Sequence, residues 1–262
     1  MPRFKVTEYP VTSDKLKNTL KIAMLSDLHG FCYGENNIDL ITAVKNTTPD
    51  LILLAGDMIT CEHPEQFPIA RDLLRELVTI APVYYSNGNH ELRSSVPGQK
   101  GTREYLELKN DLISFGVKYL NNETAVIDRG EDTITVFGLD LPDMYYRRFA
   151  SSKMTVDTLL GYLNAIPDEK SYNILIAHNP MYGHTYARAS FDMALCGHNH
   201  GGLICLPFVG SIISPSFKLF PEFAFGDTLV GQTHIITSRG LGTHRYNIRI
   251  NNPAELLYIT VN

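Results

Sequence analysis

Five short apolar runs in this chain each stop at a cluster of polar side chains, and that arrangement restricts the fold more than any other feature. Residues 20–25 (LKIAML) stop at Ser26-Asp27, residues 51–55 (LILLA) at Gly56-Asp57, and residues 83–86 (VYYS) at Asn87-Gly88-Asn89. Farther along, residues 172–177 (YNILIA) run into His178, and residues 191–196 (FDMALC) into Gly197-His198. Nearly continuous apolar runs of this length read as strands buried on both faces. Helix-like segments near 38–46 and 68–79 lie between the first three runs, so the alternation predicts crossover connections and a parallel sheet. Further strands are expected at 133–138, 233–238 and 256–261. A second sheet packed on the first would give an α/β chain, a two-sheet β-sandwich flanked by helices. A hydrophobic content of 44% over 262 residues is enough for such a core, and one domain over 1–262 is the expectation.

Open α/β sheets bind ligands outside the carboxyl ends of their strands. All five clusters fall there, so they should converge on one edge. In the first, Asp27 and His29 are one residue apart and can turn toward one ion, although an Asp-x-His pair alone is more often a capping carboxylate beside an exposed ring. In the second, a carboxylate at the end of a buried strand needs a partner, because an unpaired buried charge costs several kcal/mol. Asp57 can bridge two cations through its two oxygens. In Gly88-Asn89-His90-Glu91, Asn89 offers a neutral carbonyl oxygen, while His90 points elsewhere and is available as a proton donor with an ordinary pKa of about 6.5. Glu91 could orient His90 or cap the following segment. His178 precedes Asn179-Pro180, a sharp turn, and His198 and His200 are flanked by glycines that permit unusual backbone angles.

Hard cations take oxygen ligands, whereas imidazole suits Mn, Fe and Zn. At least six mixed donors exceed one tetrahedral zinc site and suit two adjacent metals, about 3.5–4 Å apart in the machinery that hydrolyses phosphate esters. Two carboxylates against two divalent cations leave about two positive charges for a hydroxide and a phosphate to neutralise. Attack by hydroxide on phosphorus, with His90 protonating the leaving oxygen, needs no protein nucleophile.

The order D-x-H, G-D, G-N-H-E, H, G-H-x-H resembles the calcineurin-like metallophosphoesterase superfamily, and its motifs span residues 27–200. The resemblance implies the four-layer α/β/β/α form of the sandwich. It also implies that Asp27, His29, Asp57 and His200 hold one metal, that Asp57, Asn89, His178 and His198 hold the other, and that a metal-bridging hydroxide attacks in line beside the catalytic His90. Ser26-Asp27-Leu28-His29, Pro82-Val83-Tyr84-Tyr85, Gly201-Gly202 and Ser238-Arg239-Gly240-Leu241-Gly242 are similar to the bacterial phosphodiesterase-like branch. Asn199 stands where Thr or Ser is common. Residues 56–61 lack the Arg-containing extension of the Ser/Thr protein phosphatases, which argues against that activity.

A net charge of −5 argues against a broad nucleic-acid-binding face. Four cysteines without disulfide-like spacing, and no secretory signal in the first 30 residues, place the expectation in the cytoplasm. No run reaches the ~18 apolar residues of a membrane span, which leaves peripheral membrane contact open. Residues 206–225 read as core filler or a flap, Tyr145-Tyr146-Arg147-Arg148 as an exposed loop or a substrate-facing rim, and Arg239 as structurally paired. His63, His184, His234 and His244 have no matching partner. The expectation is a phosphodiesterase acting on a small-molecule phosphoester with two divalent metals, Mn2+ first and Fe or Zn next. The alternatives are a phosphomonoesterase or pyrophosphohydrolase acting on a nucleotide or nucleotide-sugar lipid, and an inactive scaffold.

Overall fold

The computed structural model describes residues 3–147, 153–202, 204–206, 210–213, 220–243 and 249–262. In chain order the elements are β1 (Phe4–Val11), β2 (Leu20–Leu25), α1 (Ile38–Asn46), β3 (Leu51–Ala55), α2 (Phe67–Leu77), β4 (Val83–Ser86), α3 (Asn89–Ser95), α4 (Thr102–Phe115), β5 (Lys118–Tyr119) and β6 (Glu123–Arg129). They continue with β7 (Asp132–Leu139), α5 (Val156–Leu163), β8 (Tyr172–Ala177), α6 (Gly183–Arg188), β9 (Met193–Cys196), β10 (Ile204–Leu206), β11 (Gly210–Ile213), β12 (Gly226–Val230), β13 (Thr233–Thr237) and β14 (Ala254–Val261). One sheet has the order β1-β14-β2-β3-β4-β5, the other β12-β13-β9-β8-β7-β6, and β10 and β11 pair separately.

Because successive strand residues face opposite sides, each buried strand feeds two cores. Ile22, Met24, Leu53 and Ile259 of the first sheet meet Ile134, Val136, Ile174, Ile176 and Leu195 of the second. The opposite faces pack on helices. Leu25, Ile52, Leu54 and Tyr85 contact Leu40 and Val44 of α1, Leu73 and Leu74 of α2 and Leu108 of α4. Phe137, Leu175 and Ile235 contact Leu159 of α5 and Tyr186 of α6. The result is helix, sheet, sheet, helix. Burying each such side chain is worth about 1.5–3 kcal/mol.

The expected parallel pairing is part of a larger pattern, two mixed sheets. β14 runs antiparallel to β2, β12 to β13 and β6 to β7. Apolar run length reports burial on both faces but carries no strand direction. The five strands that precede the polar clusters do lie parallel to their neighbours among themselves, β2 to β3 and β3 to β4 in one sheet and β8 to β9 in the other. Their carboxyl ends therefore face the same way within each sheet. No helix among the described residues is long and apolar enough to cross a membrane.

Candidate metal centre

The loops leaving β2, β3, β4, β8 and β9 are laced together by backbone hydrogen bonds. The Asp27 amide donates to the Gly56 carbonyl at 3.0 Å, the His29 amide to Asp57 at 3.1 Å and the Gly197 amide to His178 at 3.0 Å. The His198 amide reaches across to Asp27 Oδ1 at 3.0 Å, joining the two sheets. Side chains are also held in place by an unusual backbone. Asp27 (φ 50°), His29 (49°), Asp57 (53°), His198 (69°) and His200 (48°) all lie in the left-handed region, which costs a non-glycine residue about 1–3 kcal/mol. Two glycines permit the close approach of the β3 and β4 loops. A Cβ on Gly56 would overlap the Gly88 backbone, and one on Gly88 would overlap the Asp57 carboxylate.

These loops bring the seven expected ligands and His90 to one place, with His198 and His200 partly exposed and the rest buried. Asp27, His29 and His200 present donor atoms within 4.8 Å of one another, as do Asp57, His178 and His198. Asp57 stands between the two groups, with Oδ2 3.1 Å from His178 Nε2 and 3.9 Å from His29 Nε2. Its other oxygen accepts the His90 amide at 2.8 Å, so Oδ2 is the one turned inward. His200 Nε2 lies 3.4 Å from Asp27 Oδ1 and 3.1 Å from His29 Nε2.

The donors fit metal ions on their own hydrogen-bonding evidence. His178 Nδ1 donates to the Ala55 carbonyl at 2.6 Å, which turns Nε2 toward Asp57 Oδ2, 3.1 Å away. Asn89 Oδ1 is buried and has no hydrogen-bond partner among the described residues. Buried polar atoms are rarely left so. His200 Nδ1 lies 3.2 Å from the Gly242 carbonyl, and His29 Nδ1 3.1 Å from Thr60 Oγ1. With those bonds donated outward, the two Nε2 lone pairs face each other, an arrangement that a shared cation would turn from repulsive to attractive. Anchoring the second ring nitrogen to a carbonyl or hydroxyl is how metal-binding histidines are oriented.

Electrostatics in the metal-free protein follow from burial and crowding. Burial pushes Asp27 up to about 6, with His178 opposing and Asp57 adding to the rise. Burial also opposes ionisation of Asp57, but His178, His90 and His29 hold its carboxyl well below the usual range. His198 and His200 fall to about 3 because burial disfavours their charge, and the neighbouring His178 and Arg249 add to this. Both rings are thus neutral and ligand-competent at pH 7. Burial works against a charge on His178 as well, yet Asp57, Asp27 and the Ala55 carbonyl raise it to about 10. The folded state then keeps a proton that the unfolded chain, with an ordinary value of 6.5, has lost. That contribution to stability is full below pH 6.5 and is lost as pH rises toward 10. Between pH 7 and 9, metal-free protein should lose about 1.4 kcal/mol per pH unit from this group. Urea unfolding with chelator present, compared with His178→Gln, checks this: equal slopes in the two proteins would count against it.

Several supporting contacts carry no sequence signal. The Ala55 and Gly242 carbonyls orient two histidines, and backbone atoms look alike whatever the residue. Arg249 in turn donates to the carbonyls of Arg239, Gly240 and Gly242. The Tyr146 ring lies 5.4 Å from that of His198. Tyr145 and Tyr146 are both buried, so neither forms the expected rim or exposed loop; Arg148 lies outside the described residues. Arg239 is structurally engaged, with Asn252 at 2.9 Å and the Phe225 ring beneath it. His63, His184 and His234 each pair with a nearby carboxylate, of Glu65, Glu222 and Asp227. His244 lies outside the described residues, as do 207–209 and 214–219 of the apolar stretch 206–225.

Glu91 does more than cap. Its two oxygens accept the amides of Asp57, Met58, Ile59 and Gly88 at 2.8–3.3 Å and the Tyr85 hydroxyl at 2.6 Å. One buried carboxylate thus fastens the Asp57 loop to α3. Burial, then the charge on Asp57, raises it to about 7. In Glu91→Gln an NH2 group would have to face amide donors, and unfolding stability should fall by roughly 3 kcal/mol. A chemical-denaturation midpoint equal to wild type would remove this role.

The sequence model described as calcineurin-like phosphoesterase matches residues 20–202. Phosphodiesterase YaeI of Escherichia coli is 28% identical over 240 residues, covering 90% of this chain and 80% of its own. A metallophosphoesterase of Campylobacter jejuni is 29% identical across 98% of this chain, which spans only 63% of that relative. Among solved structures, a 5'-nucleotidase precursor from Thermus thermophilus superposes with a TM-score of 0.52 at 16% identity, over 85% of this chain and 49% of that one. That likeness concerns the fold.

Proposed function

The chain belongs to the calcineurin-like phosphoesterase family, a family of metal-dependent phosphoester hydrolases, and from that premise we propose that it is a dinuclear phosphodiesterase. The observation that carries the reading is the orphaned buried lone pair of Asn89 Oδ1, in a pocket where Asp57 faces two clusters of histidine and carboxylate. In this reading Asp27, His29, Asp57 and His200 hold one cation, and Asp57, Asn89, His178 and His198 the other. Manganese is the proposed working metal, since mixed oxygen and imidazole donors suit it. When bound, the two cations supply Lewis acidity toward phosphoryl oxygens and acidify water so that it attacks phosphorus at neutral pH.

The chain's own groups supply the rest. His90 Nδ1 accepts the Cys61 amide at 3.1 Å, so the neutral ring carries its proton on Nε2. That atom is turned toward the centre, 4.0 Å from Asp57 Oδ2. From there it can protonate the leaving oxygen. Asp57, held ionised, keeps negative charge at the middle of the site. A diester is favoured over a monoester by charge. A monoester brings one more negative charge, and the guanidinium groups of Arg239 and Arg249 spend donors on Asn252 and on loop carbonyls. The E. coli relative's name supports the same choice.

The test is metal content by mass spectrometry paired with Mn2+-dependent hydrolysis of bis(p-nitrophenyl) phosphate and of p-nitrophenyl phosphate. Two metals per chain and faster diester turnover are expected. Faster monoester turnover would sink the diester assignment, and protein that binds no metal and hydrolyses neither compound would sink the whole reading.

A further inference from the structure

A second set of donors lies on the side of the His90 ring that faces Cys61. Cys61 Sγ is 3.2 Å from His90 Nδ1, Glu62 Oε2 is 3.4 Å from the same nitrogen, and Sγ and Oε2 are 3.3 Å apart. Around one tetrahedral ion with bonds of about 2.0–2.3 Å, ligand atoms sit roughly 3.3–3.8 Å from each other. The three atoms therefore already form a triangle close in size to one face of such a tetrahedron. A thiolate in the set selects a thiophilic ion such as zinc or cadmium over manganese or magnesium. Cys61 and Glu62 also line an open cleft of about 750 Å3, together with Leu92, Arg93, Val96 and Pro142. The cleft offers an entry path and room for a water as fourth ligand.

We propose that Cys61, Glu62 and His90 bind one thiophilic divalent cation at a third site, separate from the paired centre, and that this cation inhibits the enzyme. The binding stands on geometry alone; the inhibition rests on the assignment of His90 as proton donor. The cation takes the Nδ1 lone pair that accepts the Cys61 amide, so that hydrogen bond is given up on binding. Ligation at Nδ1 ties the ring to Cys61 and Glu62, so Nε2 can no longer follow a leaving oxygen at the paired centre. The paired centre keeps its own ligands throughout.

Manganese-loaded protein titrated with Cd2+ tests this. The expected result is an ultraviolet cadmium–thiolate charge-transfer band that saturates at one Cd2+ per chain while manganese content stays constant. Hydrolysis of an ester with a poor leaving group should fall by about 10²-fold or more, in line with the loss of a general acid. Cys61→Ser should show neither band nor inhibition, its own cadmium-free rate being the reference. No band in the wild type, a band that persists in Cys61→Ser, or a band gained only as manganese is lost would each overturn the site. A Cys61-dependent band in active protein that is not inhibited would overturn the inhibitory role. The same band in protein that hydrolyses nothing would leave the site standing and overturn the proposed function instead.

Discussion

Asp57→Asn is expected to fold, to carry neither cation, and to hydrolyse no diester above background. Asparagine keeps an oxygen to accept the His90 amide, a bond of 2.8 Å in the wild type, so the loop retains its internal support. What disappears is the charged inward oxygen, which is 3.1 Å from His178 Nε2 and 3.9 Å from His29 Nε2. Removing a single transition-state stabiliser costs enzymes about 10²–10³ in rate, and here one substitution reaches both cations, so the loss should exceed that range. Metal analysis after desalting, with a circular dichroism spectrum to confirm folding, is the check. Two metals per chain in the folded variant would refute the shared-ligand role, whatever the activity.

His90→Ala should behave in the opposite way toward metal. Its ring nitrogens are engaged with Cys61 and turned toward Asp57 Oδ2, and the assigned ligand sets are complete without it. Both cations should remain. Turnover of esters with poor leaving groups should fall by about 10²–10⁴-fold, and that of nitrophenyl esters far less, because a good leaving group departs without a proton. The informative quantity is the ratio between the two substrates. An equal drop for both would point to a ring that binds phosphate or supports the loop, and loss of metal would place His90 among the ligands.

The parts of this molecule legible in its sequence are those in which side-chain chemistry is the cause. β2, β3, β4 and β8 have the bounds expected from apolar run length, because burial on both faces needs an unbroken run. The polar residues that stop each run are the ones that assemble at the strand ends. Other features are governed by backbone or by context. β6 and β12 alternate between exposed and half-buried positions along a sheet edge, so they show no continuous run. The antiparallel placement of β14 depends on how the chain returns, which hydrophobicity does not encode. Nothing in the Gly-Asn-His-Glu motif announces a helix of its own, yet Asn89 to Glu91 begin α3. Its glutamate gathers four amides from two loops that only the fold brings together.

Five of the residues assembled at the strand ends keep side chains on backbone that glycine would adopt more readily. A glycine at His200 would relieve about 1–3 kcal/mol of backbone strain, so metal-free protein with His200→Gly should unfold less easily while being useless as a catalyst. Selection for stability and selection for turnover pull these positions in opposite directions. A laboratory lineage evolved only for heat resistance should lose its strand-end histidines early, and one evolved for activity should retain them and gather its stabilising changes elsewhere in the sandwich.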